Sequence, residues 1–240
     1  MAAMRLPPKV KFFRANPGLK GLPPADVHRF VQDVTERQLA RGEAIWHPAD
    51  PADSVFFIET GVVRVARPGS RGRSLILRFH GRAEMFGIAS LYRRERRETH
   101  AIAHEPCEVY RVPVGAVERM VQQHRAFGAR LAALWVQRQD QLERRLAAQM
   151  FEPVQRRLML LFHELATSFG VRDSRGVILT LRLTHRELGD LVGATRETVS
   201  AALGALRKKG CIRVEEHRII LLREARQVAK AAGPKGRNGV

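Results

Sequence analysis

Hydrophobic and polar residues alternate between positions 40 and 112, and this pattern predicts a series of short β-strands. Within SVFFIETGVVRVARPGSRGRSLILRF, turn residues separate the apolar runs, and Val63 and Val65 are spaced two apart, as in a half-buried strand. Many short strands at this spacing are typical of an antiparallel barrel or jelly roll. The predicted strands cover 54–58, 61–66, 74–79, 100–103 and 108–112.

After Pro113 the pattern becomes helical. Residues 125–149 contain no proline and no turn cluster, which predicts one helix about 37 Å long. An apolar seam with a polar interruption runs along this helix at steps of three or four residues. The seam fits two structures, a helix packed on its own barrel and a coiled coil that joins two copies of the chain. Its residues are Leu131, Trp135, Arg138, Leu142 and Leu146.

Pro153 breaks the helical pattern because proline lacks a backbone N–H, and it marks a hinge or domain boundary near 150–153. An amphipathic helix follows over 154–169, and VILTLRL at 177–183 is predicted as a strand. The final residues, AAGPKGRNGV, offer no apolar surface to bury, which predicts a disordered tail.

Two consecutive helices joined by a tight turn are predicted after residue 183. Thr184 and Glu187 form a Ser/Thr-x-x-Glu capping box that begins the first helix, and Gly193 ends it. Thr195 can cap the second helix. One stripe of that second helix is predicted to face the core, because its apolar residues recur at i, i+3, i+4 and i+7: Val199, Ala202, Leu203 and Leu206.

The opposite face of the second helix has charge at both ends and almost no side-chain bulk between them. Such a face suits the major groove of DNA, where N-terminal residues meet base edges, small residues avoid the groove wall and a basic end reaches phosphates. CIRVEEHRIILL predicts a hairpin beside this helix, with Arg213, His217 and Arg218 as candidate backbone contacts. The face comprises Glu197, Ala201, Gly204 and Lys208, flanked by Arg196, Ser200 and Arg207.

Composition supports a nucleic-acid partner and argues against several other classes. The chain of 240 residues has a net charge of +18, which favours a polyanionic partner. Two cysteines are too few for a disulfide framework or a four-cysteine iron–sulfur cluster, and a reducing cytoplasm is expected. We expect neither membrane insertion nor secretion, since no long apolar run or signal-peptide core is present. Nucleotide-binding, hydrolase and metal-site motifs are also missing, so an enzyme is not expected.

This order of elements resembles the Crp/Fnr superfamily of bacterial transcription regulators. The motifs that carry the resemblance are LTHRELGDLVGATRETVSAALGALRKKG, RGEAIWHPADPADSVFFIETGVVRV and AEMFGIASLY. It implies an α+β fold with an N-terminal antiparallel β-barrel of the cyclic-nucleotide-binding type, a long dimerisation helix and a C-terminal winged helix-turn-helix. The implied domains are an extension at 1–19, a sensor barrel at 20–123, the dimerisation helix and hinge at 124–152, the DNA-binding domain at 153–224 and a basic tail at 225–240.

The resemblance also implies a homodimer on a pseudo-palindromic site in double-stranded DNA, with RNA polymerase as a further partner if the protein is an activator. By motif position, Arg196 would read a guanine and Glu197 a base-edge amino group. The family often has an arginine where this chain has Ala201, which predicts looser specificity at that base pair. Phosphate or backbone contacts are expected from Thr195, Thr198, His185 and Arg186, with Ser200, Arg207 and Lys208 beside them.

Residues at the expected effector site argue against cyclic AMP. The founding family member uses a glutamate directly after a glycine and an Arg-Ser pair further on, but alignment from Gly87 places Ile88 and Glu98–Thr99 there. A carboxylate would repel the ligand phosphate. The adenine-contacting pair aligns with Leu142 and Glu143. An effector pocket, or only barrel core, is expected from Phe86, Leu91 and Tyr92.

Other members of this family sense gases through haem, which needs only one or two axial ligands. His100 and His104 share one face of a predicted strand, although isolated histidines like these are expected on the solvated surface. Cys107 could serve redox sensing, but a lone thiol on a strand usually behaves as a small apolar residue. RRERR at 93–97 is interpreted as a solvated loop that could also bind an anionic effector.

A different class of function is a soluble ligand-binding module that uses its C-terminal domain for protein contacts, since a fold does not fix function. Salt dependence separates the two classes, because DNA binding weakens steeply as salt rises.

Overall fold

The computed structural model describes residues 7–70, 74–92, 95–216 and 218–222. The predicted tail at 225–240, the candidate contact His217 and part of the RRERR segment lie outside these residues. The chain divides into two compact units, 1–141 and 142–240.

The first unit is built around two four-stranded antiparallel sheets, which confirms the predicted barrel. One sheet has the order β1-β8-β3-β6 and the other β2-β7-β4-β5. The β-strands are β1 (Thr35–Leu39), β2 (Ala44–Trp46), β3 (Ser54–Thr60), β4 (Val63–Pro68), β5 (Ser74–His80), β6 (Met85–Phe86), β7 (His100–Ala103) and β8 (Cys107–Pro113). The helices of this unit are α1 (Pro8–Ala15), α2 (Pro24–Gln32), α3 (Val114–Gln123) and the first part of α4 (Arg125–Phe151).

Two apolar clusters form the core of this unit. In the first, Phe13 of α1 lies against Phe57 and Tyr110, with ring centroids 5.1 and 5.2 Å apart. Edge-to-face and tilted contacts of this kind stabilise aromatic cores beyond area burial alone. In the second, Trp46 packs with Phe56 and other residues inside the sheets. The N-terminal segment is therefore part of the barrel's packing.

Helix α4 divides the predicted seam between two environments. Leu131 is only 7% exposed and lies in the core of the barrel, so it is a packing residue of its own unit and not an exposed seam position. Arg138 donates to the backbone carbonyl of Met85. By contrast, Trp135, Leu142 and Leu146 are exposed. Packing on the barrel thus accounts for Leu131 and Arg138, and the coiled coil stays a prediction for the exposed residues of the seam.

The second unit places three helices against a four-stranded sheet of order β11-β12-β10-β9. The strand predicted over 177–183 is shorter than expected and ends at Leu179. Thr180 donates from both its backbone N–H and its hydroxyl to the carbonyl of Phe169, which is the last residue of α5, so the pairing strand β9 extends no further. The elements are α5 (Val154–Phe169), β9 (Gly170–Arg172), β10 (Gly176–Leu179), α6 (His185–Val192), α7 (Arg196–Lys208), β11 (Ile212–Glu215) and β12 (Arg218–Leu222).

Candidate functional site

Local hydrogen bonds fix the start of both helices of the predicted DNA-binding motif. At α6, the Thr184 hydroxyl accepts from the N–H of Glu187 at 3.2 Å, and the Glu187 carboxylate accepts from the N–H of Thr184 at 2.9 Å. This is the reciprocal capping box that the sequence predicts. At α7, the Thr195 hydroxyl accepts from the N–H of Thr198 at 3.2 Å. Both caps satisfy backbone donors that would otherwise lack partners.

The turn between the helices depends on two glycines. Gly193 adopts the left-handed conformation with φ of 63°, and its N–H donates to the carbonyl of Gly189. The N–H of Ala194 donates to the same carbonyl at 3.1 Å. A Cβ added at Gly189 would lie 2.5 Å from the Ala194 carbonyl oxygen. Gly189 is a residue that sequence reasoning missed, since a glycine inside a helix carries no local signal for a tertiary contact.

We predict opposite effects on stability for two Gly→Ala changes in this motif. Gly189→Ala should lower the free energy of unfolding by about 1–3 kcal/mol, because the backbone of the turn must move to admit the methyl group. Gly204→Ala on α7 should raise it by about 0.5–1 kcal/mol, because nothing lies within 4 Å of the new Cβ and alanine favours a helix. Urea unfolding measures both, and equal effects would contradict the turn geometry.

Helix α7 has the two faces that its sequence predicts. All four residues of its apolar stripe are buried, and the stripe packs toward α5 and α6. The opposite face carries exposed Glu197, Ala201 and Lys208, with Gly204 half-buried. Every candidate DNA-contact residue is exposed: Thr195, Arg196, Glu197, Thr198, Ser200, Arg207 and Lys208 on or beside α7, and His185 and Arg186 on α6.

A short hydrogen-bond chain links α6 to the exposed face of α7. The Ser200 hydroxyl donates to the Arg196 carbonyl at 2.9 Å, and His185 Nδ1 lies 2.7 Å from the same hydroxyl. A hydroxyl has one proton, so His185 Nδ1 is the donor in this pair. Glu197 lies on the same face of α7. Hydrogen bonds from the backbone N–H of Glu197 and from the Thr195 hydroxyl hold the pKa of the Glu197 carboxyl below its usual value. A charged carboxylate is therefore presented at the start of α7.

The hairpin β11–β12 lies in the same sheet as β10, as the predicted wing requires. Arg213 and Arg218 are exposed on its two strands. Arg175 joins the hairpin to the preceding turn, because its guanidinium pairs with Glu215 at 2.5 Å and with Asp173 at 2.7 Å. Arg213 also pairs with Glu215, at 3.5 Å, so this carboxylate is shared by two arginines.

The predicted effector residues differ in burial and in the groups that they contact. Phe86 and Ile88 are buried in the core, whereas Tyr92 is 72% exposed and its ring lies 5.7 Å from that of Trp135. Gly87 begins a short 3-10 turn to Leu91. Glu98 is exposed and pairs with Arg67, while Thr99 accepts from the indole N–H of Trp46 at 3.3 Å. Leu142 and Glu143 are exposed on α4.

Two expectations about titratable residues of the barrel are wrong. His104 is not a surface residue; it is 8% exposed and its ring lies 4.9 Å from that of Phe79. The segment 93–97 is not uniformly solvated, because Arg97 is buried. Cys107 behaves as a small apolar residue, since burial raises the pKa of its thiol to about 11 and keeps it protonated.

Sequence reasoning also missed a buried polar pair beside α4. His80 Nδ1 lies 2.9 Å from the Glu84 carboxylate, and the imidazole stacks on Phe86 with centroids 5.3 Å apart. Burial lowers the pKa of His80 to about 4, although the hydrogen bond to Glu84 opposes this shift. The neutral imidazole therefore belongs to the packing of the barrel. No group of three or more His, Cys, Asp or Glu residues that could hold a metal occurs in the described part of the chain.

Comparison with known proteins identifies both units. A cyclic nucleotide-binding domain model matches residues 36–124, and a Crp-like helix-turn-helix domain model matches 155–226. The chain belongs to the Crp/Fnr superfamily. The global nitrogen regulator of Synechocystis sp. is 28% identical over 181 residues, which are 75% of this chain and 80% of that protein.

Two further proteins extend this comparison. The CRP-like cAMP-activated global transcriptional regulator of Mycobacterium tuberculosis is 25% identical over 213 residues, or 89% of this chain and 95% of that protein. The structure of FixK2 from Bradyrhizobium japonicum shares the fold, with a TM-score of 0.72 and 24% identity over 82% of this chain and 96% of that one.

Membership in this superfamily makes the protein a transcriptional regulator with a helix-turn-helix DNA-binding domain. Its named relatives are regulators and not enzymes, in agreement with the sequence. None of the described helices of this Crp/Fnr regulator is both long enough and apolar enough to span a membrane.

Proposed function

We propose that this Crp/Fnr regulator acts as a homodimer that reads a pseudo-palindromic site, with one α7 in the major groove of each half-site. The observation that carries the proposal is the exposed face of α7, which has Glu197 and Lys208 at its ends and only small side chains between. Such a face can approach base edges closely. Arg196 would contact a guanine, and Glu197 would accept from a base amino group.

Contacts to the DNA backbone are proposed on both sides of α7. Thr195 and Thr198 would hold phosphates at its N-terminus, and Arg207 would do so at its basic end. Further backbone contacts are proposed for exposed residues of α6 and of the wing, which can supply positive charge or hydrogen bonds: His185, Arg186, Arg213 and Arg218. A net charge of +18 supports these contacts, since neutralised phosphates release counterions.

The dimer proposal rests on the exposed apolar residues of α4. Trp135, Leu142, Leu146 and Met150 are exposed in the single chain and recur at steps that place them on one side of the helix. Covering such a row by a second copy removes apolar surface from water. RNA polymerase is a further proposed partner if the protein is an activator.

We propose that any effector of the barrel differs from cyclic AMP. Ile88 is buried and offers no acceptor to a ribose hydroxyl. Glu98, which the alignment places at the phosphate-binding position, is an exposed carboxylate paired with Arg67 and offers no positive charge to a phosphate. The mycobacterial relative is named as cAMP-activated. In this chain the positions that the resemblance assigns to the nucleotide contacts hold Ile88 and Glu98–Thr99.

Selection of binding sites from a random pool of DNA duplexes tests the proposal. The purified protein, with no ligand added, should recover a two-fold symmetric motif, with weaker base preference opposite Ala201 than at neighbouring positions. A motif without symmetry would contradict the homodimer. Equal preference at every position would contradict the role given to Ala201.

The same experiment separates DNA recognition from a ligand-binding module that makes protein contacts. A DNA-binding regulator should lose affinity for the selected site steeply as salt rises, with a slope that reports phosphate contacts. Recovery of no motif, together with salt-independent weak binding, would favour the protein-contact module.

A further inference from the structure

Arg97 is a charged side chain buried among the aromatic residues of the barrel. It is 8% exposed, and its guanidinium carbon lies 4.3 Å from the centroid of the Trp46 ring and 5.9 Å from that of Phe56. Trp46, Phe56 and Phe86 pack on one another, with ring centroids 5.2 to 5.5 Å apart. A guanidinium held over such rings gains a cation–π attraction that strengthens when water is excluded.

Two backbone carbonyls complete the surroundings of this guanidinium. Nη2 donates to the carbonyl of Ser54 at 2.5 Å, and Nη1 donates to that of Gly87 at 3.4 Å. No carboxylate within the described residues forms an ion pair with Arg97, and its Nε is buried with no hydrogen-bond partner there. Burial lowers the pKa of Arg97 to about 10, so the side chain stays charged at neutral pH. Rings and carbonyls are thus the groups in contact with this cation, while the carboxylates of Asp53 and Asp50 favour its charged form without forming an ion pair with it.

The backbone holds Arg97 in position from both sides. Its N–H donates to the carbonyl of Asp50 at 2.8 Å, and its carbonyl accepts from the N–H of Ala49 at 2.8 Å. The N–H of Ala52 donates to the carbonyl of Glu95 at 3.0 Å. This short pairing presents the side chain inward, while the neighbouring Glu98 turns outward to Arg67.

The guanidinium also fills the space above Gly87, the residue from which the expected effector segment runs. Gly87 is in the left-handed region with φ of 74°, and an added Cβ would lie 3.2 Å from Arg97 Nη1 and 3.4 Å from the Trp46 ring. An arginine of the chain itself therefore lies where an effector is expected from the resemblance.

We propose that Trp46, Phe56, Phe86 and the carbonyls of Ser54 and Gly87 form a guanidinium-binding site, and that Arg97 occupies it as an internal ligand in place of a small-molecule effector. This inference rests on the proposed function for its regulatory meaning, because an occupied site makes the regulator competent for DNA without an added ligand. The site itself is a property of the barrel and can be tested with no DNA present.

Arg97→Ala empties the site and should open it to free alkylguanidinium ions. The variant should melt at a lower temperature than the wild type, and ethylguanidinium at concentrations on the order of millimolar should raise that temperature saturably. Ethylammonium should do so much less, since it cannot span two carbonyls with a planar group. The wild type should not respond, because its site is filled.

Arg96→Ala is the matched control, since Arg96 is the exposed neighbour whose guanidinium donates to the Ala49 carbonyl at 2.8 Å. It should show no saturable response to ethylguanidinium. Arg97→Lys covers the case in which Arg97→Ala does not fold, because lysine keeps a cation over the rings but lacks the planar fork. We expect Arg97→Lys to melt below the wild type, and a melting temperature equal to the wild type would overturn a guanidinium-specific site.

DNA binding by the same proteins tests the regulatory meaning separately. The wild type should bind its selected site with no ligand, and Arg97→Ala should lose affinity and regain it over the concentration range in which ethylguanidinium raises its melting temperature. Folded Arg97→Ala that shows no saturable response would overturn the site, whatever the DNA result. Absence of specific DNA binding by the wild type, with the thermal response intact, would instead count against the proposed function.

Discussion

Leu146→Glu should convert the regulator from a dimer into a monomer at micromolar concentration. Leu146 is 63% exposed in the single chain and lies on the apolar side of α4 with Leu142. In a homodimer each substitution occurs twice, so two leucines are lost and two carboxylates are placed at one interface. Burying a leucine contributes about 1.5–3 kcal/mol, and paired like charges in a dry contact add a further cost. The dimer dissociation constant should rise by at least about 100-fold, which corresponds to about 3 kcal/mol.

Sedimentation velocity measures this change, and Ala147→Glu is its matched control. Ala147 is also exposed and lies one position along the same helix, about 100° around its axis from Leu146. The control adds the same charge away from the apolar row and should remain dimeric. Dissociation of both variants alike would mean that charge, and not the apolar row, controls association.

Loss of the dimer should also weaken recognition of a two-fold site. A monomer presents one α7 and can occupy only one half-site, so affinity for the symmetric site should fall by more than about 100-fold. Affinity for an isolated half-site should change little, because Leu146 is not on the DNA-binding motif. Equal losses on both DNAs would indicate damage to the C-terminal unit.

Periodicity in the sequence predicted several helices and strands of the fold, because regular spacing is a local property. The helix over 154–169 matches α5, and the strand over 100–103 matches β7, each at both ends. The capping box at Thr184 and the buried stripe of α7 follow from spacings of three and four residues. The predicted boundary was wrong where the partner segment decides it, as for β10, which ends at Leu179 because the residue opposite Thr180 belongs to helix α5.

The interior of the barrel could not be predicted in the same way. Arg97 lies in a run of arginines whose composition indicates solvent, but its guanidinium lies over rings contributed by two separate strands. His104 is buried because Phe79, distant in sequence, covers it. Leu131 fits the apolar seam as well as Leu142 does, yet Leu131 is buried in the core of the barrel and Leu142 is exposed. The spacing of residues predicts which side chains share one face of a helix or strand. It does not predict which other parts of the chain pack on that face.

Arg196→Ala should remove most of the sequence preference of the regulator while leaving its non-specific affinity for DNA. Arg196 is the exposed first residue of α7. The Ser200 hydroxyl donates a hydrogen bond to the backbone carbonyl of Arg196 and not to its side chain. A bidentate arginine–guanine contact contributes about 1–3 kcal/mol of discrimination. Because a dimer uses two copies, affinity for the selected site should fall by about 100-fold or more, whereas affinity for random duplexes should change by only a few-fold.

Arg207→Ala is the contrasting change at the other end of the same helix. Arg207 is assigned to a phosphate, so its loss should weaken binding to selected and random duplexes by similar factors and should lower the salt slope by about one per half-site. Fluorescence anisotropy across a salt series, with both duplexes, measures all of these quantities. If the two variants instead lost affinity in the same pattern, then α7 would not lie with its N-terminus at the bases and its basic end at the backbone. That orientation follows from placing the small residues Ala201 and Gly204 between charged ends, so the comparison tests why the face is built in this way.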